Sequence, residues 1–170
     1  MLKIRPATPT DVNAIFELIL GLAVYEKLTD RVTGSSDLLR VHLFGDRPYA
    51  EVIVAELDDA PQERLRQRVV GFGLFFHTYS TFLTQPGLYL EDVFVLPEYR
   101  RQGVGKALMM AVAKIAFDRG CGRLEWSVLD WNQSAIQFYE SLGATILPDW
   151  KICRMTAETL AEIATRSQTE

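Results

Sequence analysis

A strand that feeds a glycine-bearing turn and then a helix presents outward backbone N–H groups and the positive end of a helix dipole, which together attract anions. The stretch Leu88 to Lys106 is of this kind: strand-like sequence, then Pro97-Glu98-Tyr99-Arg100-Arg101-Gln102-Gly103-Val104-Gly105-Lys106, then a helical pattern. Gly103 and Gly105 let the backbone approach a phosphate without side-chain obstruction, and Arg100, Arg101 and Lys106 place positive charge around it. A mononucleotide loop requires Gly, four residues and then Gly-Lys-Ser/Thr, which is not met here. The dinucleotide fingerprint requires a third glycine where Leu108 stands. What remains is Arg/Gln-x-x-Gly-x-Gly/Ala, fulfilled from Arg100 to Gly105; a surface turn with a solvated basic face would carry the same residues.

Glu91 and Asp92 sit in the strand before this turn, among Leu88, Leu90, Phe94 and Val95. Adjacent strand residues point to opposite faces unless a bulge intervenes, so one cleft should not hold both carboxylates. Buried unpaired they would be costly, and the alternative is a solvent-facing or salt-bridged pair at an open edge. Cys121, Cys153, His42 and His77 are the chain's cysteines and histidines, too few and too scattered for a disulfide framework or a metal site. They are expected to be structural, in a reducing cytosol, and no metal is expected. The net charge of −4 argues against a general affinity for nucleic acid and mildly favours a cationic partner. No run reaches the ~18 apolar residues of a membrane helix, and Met1 to Arg5 has no signal-peptide layout, so the expected location is the cytoplasm, away from membranes.

These groups need elements to position them. Leu2 to Arg5 alternates as a strand, Thr10 or Asp11 caps a helix running to about Lys27, and Ser35-Ser36-Asp37 opens a second helix ending near Gly45. Tyr49 to Leu57 alternates again; Asp58 to Arg68 reads as a polar loop. Val69 to Tyr79, almost wholly apolar, predicts a central strand covered on both faces, paired across a Ser80 to Pro86 connection with Gly87 to Leu96. Gly103 to Arg119 is helical, with Val104, Ala107, Leu108, Ala111, Val112 and Ile115 on one face. Arg123 to Leu129 predicts a strand, Asn132 or Ser134 starts a helix ending at Gly143, and 144–147 and 150–155 predict short closing strands. The tail from Arg166 is expected to fray. With no repeat or linker, residues 1–170 read as a single α/β domain.

With the loop in this context the chain resembles the GNAT superfamily of acetyl-CoA-dependent N-acetyltransferases, and more narrowly the spermidine/spermine (diamine) acetyltransferase branch. The resemblance rests on Arg5-Pro6-Ala7-Thr8, Leu22-Ala23-Val24-Tyr25-Glu26, Tyr89-Leu90-Glu91-Asp92 with Phe94-Val95, Arg100 to Gly105, and Trp131-Asn132 with Phe138-Tyr139. It implies a mixed central sheet of six to seven strands, mostly antiparallel with a splayed parallel pair, flanked by helices. It implies acetyl-CoA as co-substrate, a small cationic amine as acceptor, and a homodimer. Tyr139 matches the proton donor to the CoA sulfur, and Glu91 the residue that contacts the amine and acts as base, directly or through water. Val93, Phe94 and Val95 match the backbone that holds the pantetheine arm. Arg100, Arg101, Gln102, Gly103, Val104, Gly105 and Lys106 match the pyrophosphate loop, and Asn132, Gln133, Ser134 and Ala135 a further cofactor contact. Tyr25, Glu26, Asp92, Glu125, Trp126 and Ser127 match acceptor-side positions.

Polyamine-acetylating relatives carry Asp and Trp where this chain has Ser80 and Phe82. Ser80-Thr81, Pro97-Glu98-Tyr99 and Leu129-Asp130-Trp131-Asn132-Gln133 resemble the thialysine acetyltransferase side of the branch, whose members prefer small amines with an amino-acid end. A protein or peptide N-acetyltransferase and a non-catalytic acyl-CoA sensor remain the alternatives.

Overall fold

A computed structural model describes residues 1–58 and 67–166. The chain divides into two compact units, Met1–Ser127 and Val128–Glu170. The first holds a five-stranded sheet in the order β1 (Leu2–Pro6), β2 (Glu51–Asp58), β3 (Gln67–Ser80), β4 (Gln85–Val95), β5 (Leu124–Glu125). The first four strands pair antiparallel, and β5 joins β4 in parallel at only two positions, Leu88↔Leu124 and Tyr89↔Glu125. Three helices complete the unit: α1 (Val12–Glu26), α2 (Ser36–Phe44) and α3 (Val104–Asp118).

The apolar face of α1 puts Ile15 and Leu18 against Val52, Val54, Phe72 and Phe94 of the sheet, with Leu43 of α2 closing the cluster. On the other face Leu108 and Val112 of α3 come up against the glycines of β3, beside Val95 and Leu90 respectively. Gly71 has no room for a side chain here, since a Cβ would lie 2.8 Å from the Phe94 carbonyl oxygen of β4 and 3.3 Å from Leu108 of α3. The near-continuous apolar run of β3 is thus explained by helices on both faces. The α1 helix stops immediately after Tyr25-Glu26. Lys27 adopts a left-handed conformation (φ 60°), and the Lys27 and Leu28 N–H groups turn back onto the carbonyls of Val24 and Ala23.

One polar cluster ties β1, β2 and the entry to α1. The Arg5 guanidinium donates to both oxygens of Asp11 (2.7 and 2.9 Å) and, through Nε, to Glu56 Oε2 at 2.7 Å. Glu56 is 1% exposed. Hydrogen bonds from Arg5, outweighing burial, hold the Asp11 carboxyl down at about 2. Its pKa is depressed in the fold, so its contribution is present above its ordinary value of 3.8 and is lost as pH falls through about 2. Arg5→Met leaves Glu56 buried without its cation and is expected to cost about 3–5 kcal/mol. Urea unfolding at neutral pH measures this, and a loss under about 1 kcal/mol means that water already reaches Glu56.

In the second unit α4 (Gln133–Ser141) and α5 (Ala157–Arg166) are formed. The sheet therefore has five strands among the described residues rather than six to seven. Residues 144–147 and 150–155, expected as closing strands, form none. Ile146, Leu147, Trp150, Ile152 and Met155 are exposed, and a short run without a ladder partner does not hold as a strand. The strand expected from Arg123 to Leu129 is reduced to Leu124–Glu125, and α5 was not anticipated. Of the loop expected from Asp58 to Arg68, Asp58 ends β2 and Gln67 opens β3, while residues 59–66 lie outside the described residues, as do 167–170 beyond Arg166. The architecture is otherwise the expected α/β one, a mixed sheet flanked by helices. No helix among the described residues is long and apolar enough to cross a membrane.

Candidate active site

The turn between β4 and α3 has the backbone that an anion site needs. Arg101 (φ 60°) and Gly103 (φ 81°) are left-handed, and Gly103 is the N-cap of α3, with no side chain capping the helix. The Ala107 N–H is bonded to the Gly103 carbonyl at 2.9 Å, so the N–H groups of Val104, Gly105 and Lys106 precede that intrahelical bond. Beyond its two chain neighbours nothing described lies within 4 Å of where a Gly103 Cβ would be, no acidic residue stands in the first turn, and Arg101, Gln102 and Lys106 are exposed around it. These features fit the pyrophosphate of a CoA thioester.

Arg100 behaves differently from its neighbours. Its Nε donates to the Val95 carbonyl at 3.0 Å, and its guanidinium carbon stands 4.4 Å from the Tyr25 ring centroid and 5.3 Å from that of Phe94. The sequence motif does not distinguish this inward arginine from a phosphate ligand, because Tyr25, Phe94 and Val95 are brought to it by the fold.

Beyond Tyr89 no strand follows β4 on its β5 side among the described residues. The Leu96 N–H bonds to Val70 of β3. By the alternation of an antiparallel ladder, Val93 and Val95 direct their N–H and C=O groups to the opposite, open edge. An extended amide-bearing arm can add there as a strand does.

The two adjacent carboxylates do not obey simple alternation. Leu74 pairs with Asp92 and Phe75 with Leu90, so Glu91 is an extra residue, a β-bulge. The bulge corrects the expectation that β4 divides Glu91 and Asp92 between two faces. Tyr89 opposes Phe76, Asp92 opposes Leu74 and Phe94 opposes Phe72, which places Tyr89, Asp92 and Phe94 on the α1 side of the sheet. Burial pushes the Asp92 carboxyl up to about 6, and the negative charges of Glu91 and Glu26 add to the effect. Burial also raises Glu26 at the end of α1. Three carboxylates from two elements therefore share one region, and their mutual repulsion favours a positively charged guest.

Other expected residues are placed less distinctively. Tyr89 Oη and Ser127 Oγ are 2.7 Å apart, joining β4 to the segment after β5. Glu125 is ion-paired with Arg123 at 2.7 Å, and Trp126 is half-buried. Ser80 is 4% exposed and its hydroxyl accepts the Leu83 N–H at 3.2 Å, so it holds the β3–β4 turn, while Phe82 at the tip is fully exposed. In the second unit, Asn132 caps α4 by accepting from the Ala135 N–H (3.3 Å) and the Ser134 hydroxyl (3.1 Å). Gln133 donates to the Asp130 carbonyl. Tyr139 is buried and Phe138 half-buried, their ring centroids 5.4 Å apart.

Comparison with known proteins gives the family. The profile of the Acetyltransferase (GNAT) family matches residues 22–144. Thialysine N-epsilon-acetyltransferase of Bos taurus is 43% identical over 164 residues, covering 95% of this chain and 96% of the relative. An L-ornithine N5-acetyltransferase of Arabidopsis thaliana is 38% identical over 198 residues, covering 95% and 87%. Among solved structures, an integron cassette protein from the mobile metagenome of V. cholerae shares the fold, with a TM-score of 0.74 and 24% identity over 96% of this chain and 97% of that one. The family match, which spans both the turn before α3 and the open edge of β4, together with a relative 43% identical over 95% of the chain, identifies the chain as a member of the acetyltransferase (GNAT) family, an acetyltransferase.

Proposed function

We propose that the chain transfers the acetyl group of acetyl-CoA to the primary amine of a small cationic acceptor: a thialysine-, lysine- or ornithine-like amino acid, a short diamine or a polyamine. The observation that carries this reading is the group of Glu26, Glu91 and Asp92, in which burial and like charge lift Asp92 to about 6. Such a site is relieved by a cation, as alkylammonium groups are at neutral pH. The names of the relatives, which act on thialysine and ornithine, support the same acceptor class.

When bound, acetyl-CoA supplies an activated acyl group: the C–N bond to the amine forms as the C–S bond breaks, leaving a thiolate. An alkyl amine titrates near ~10.4, so it must shed a proton before it can attack. Glu91, exposed beside Asp92, takes that proton directly or through water, and Tyr139 gives a proton to the departing sulfur. The turn from Arg101 to Lys106 holds the pyrophosphate, the open edge at Val93 and Val95 the pantetheine arm, and the start of α4, Asn132 to Ala135, a further part of the cofactor. Tyr25, Glu26, Asp92, Glu125, Trp126 and Ser127 line the acceptor side. The chain acts as one catalytic domain, since the family match crosses the boundary at Ser127. A cytoplasmic homodimer belongs to the same proposal; Trp150 and Ile152, 78% and 72% exposed, supply apolar surface for an interface.

Ser80, committed to its turn, leaves the β3–β4 hairpin without the carboxylate that polyamine-acetylating relatives have there, which favours short acceptors over spermidine. Thiol release from acetyl-CoA is measured against thialysine, ornithine, 1,3-diaminopropane, spermidine and a peptide N-terminus. The expected order puts the short amines first, with kcat/KM for spermidine lower by about tenfold, the effect of one missing charge contact. Efficient acetylation of the peptide with no small amine turned over would overturn the reading.

A further inference from the structure

Arg100 opens the phosphate-loop motif, yet its half-buried side chain packs against α1 and β4. Its guanidinium faces two aromatic rings, Tyr25 at 4.4 Å and Phe94 at 5.3 Å, while Nε donates to the Val95 carbonyl at 3.0 Å. Each contact belongs to a different part of the proposed site. Val95 ends the open edge of β4, Phe94 anchors β4 in the α1-side core, and Tyr25 precedes Glu26 in the last turn of α1. A planar cation suits this position: it can lie against aromatic faces and still donate in its own plane. It also stands near the carbonyl end of α1, whose last turn has no basic residue of its own.

We propose that Arg100 is a positioning residue that couples the cofactor turn to the acceptor site, fixing Tyr25 and with it the placement of Glu26 relative to Asp92, rather than a ligand of the pyrophosphate. The anion is left to the backbone N–H groups from Gly103 onward with Arg101 and Lys106, which are exposed. Arg100 also takes up one of the two acceptor positions of the Val95 carbonyl, while the Val95 N–H and both groups of Val93 stay open to the pantetheine arm. The proposal rests on the reading of the acceptor site given above.

The test separates acceptor binding from cofactor binding in the full-length protein. The affinity for CoA is measured by titration calorimetry, and KM and kcat for the amine at saturating acetyl-CoA, for wild type, Arg100→Met, Tyr25→Leu and the double variant. Arg100→Met is expected to raise the amine KM about tenfold and to leave the CoA Kd within about threefold, the loss of two ring contacts and one hydrogen bond. The double variant is expected to be no worse than about twofold beyond the weaker single variant, because both remove the same link. If CoA affinity falls tenfold with the amine KM unchanged, Arg100 is a phosphate ligand and the proposal is wrong. If the two single effects multiply in the double variant, Arg100 and Tyr25 act independently and the coupling is refuted. Should Arg100→Met fail to fold in a thermal melt, Arg100→Lys keeps the charge but lacks the planar fork, and the same KM-against-Kd comparison applies. A wild-type protein that acetylates no small amine would sink the acceptor reading, while the CoA affinity of the variants still decides whether Arg100 is a phosphate ligand.

Discussion

Tyr139→Phe is expected to bind CoA as the wild type does and to lose roughly 100-fold or more in kcat, the range for removing a general acid. The substitution deletes one hydroxyl and keeps the ring, which matters because Tyr139 is only 8% exposed and contributes packing whatever else it does. A purely structural tyrosine predicts the opposite pattern. Phenylalanine would then fill the same space at a cost of about 1 kcal/mol from a lost hydrogen bond, visible in the melting curve and absent from the rate. Pre-steady-state and steady-state rates with the best amine from the panel, alongside calorimetric CoA affinity, distinguish the two. A kcat within about twofold of wild type ends the assignment of Tyr139 as acid.

Asp92→Asn is expected to lower kcat/KM for a cationic amine by about 100-fold, as removal of one partner from a desolvated charge pair does, and at the same time to make the protein more stable. The first effect comes from the lost negative charge, the second from the raised pKa of Asp92. In the fold it is about 6 against an ordinary 3.8, so the fold prefers the protonated form. The resulting destabilisation is absent below the unfolded value, grows as pH rises from 3.8 to about 6, and is constant above that. At pH 7.5 the asparagine variant should therefore gain about 1–3 kcal/mol, the upper figure being the whole shift at ~1.4 kcal/mol per unit. At pH 3.5 the two proteins should unfold alike. For the wild type the sign in catalysis is opposite: protonation of Asp92 removes attraction for the acceptor, so kcat/KM should decline below pH about 6. Equal stability at pH 7.5, with no acid limb in kcat/KM near 6, would mean that water screens Asp92 and that the three carboxylates do not act together.

The turn into α3 was legible because its logic is local: glycine at 103, basic residues beside it and a helix beginning at once. Helices α1 and α3 were legible for a similar reason, the spacing of their apolar residues, and α2 from the Ser35-Ser36-Asp37 start that precedes it. The arrangement of Glu91 and Asp92 was not, since a bulge depends on which residue of β3 each one meets. Its trace is a lapse in alternation, two carboxylates in succession between Leu90 and Phe94, which reads equally as an exposed edge. The direction of Arg100 depends on Tyr25, 75 positions earlier in the chain. Near the C-terminus the aromatic and branched residues Ile146, Trp150 and Ile152 imitate a strand, but strand character needs a neighbour, and they are exposed. The α5 helix went unread although Leu160 and Ile163 are spaced as a helix face would have them, because two apolar residues make a short stripe and a weak signal.

The extra residue in β4 also acts as a phase change in the strand. Before it, odd-numbered residues face α1; after it, even-numbered ones do, which is how Tyr89 and Phe94 come to share a side. Without that step Phe94 would swing out of the α1 cluster and Val95 away from α3, so the packing of both layers presupposes the irregularity. The length of this strand is therefore constrained by the interior, whereas the chemical identity of residues 91 and 92 is not. A side chain at 91 or 92 can therefore be exchanged without disturbing the register, whereas an insertion or deletion between them would shift every later residue of β4 to the other face.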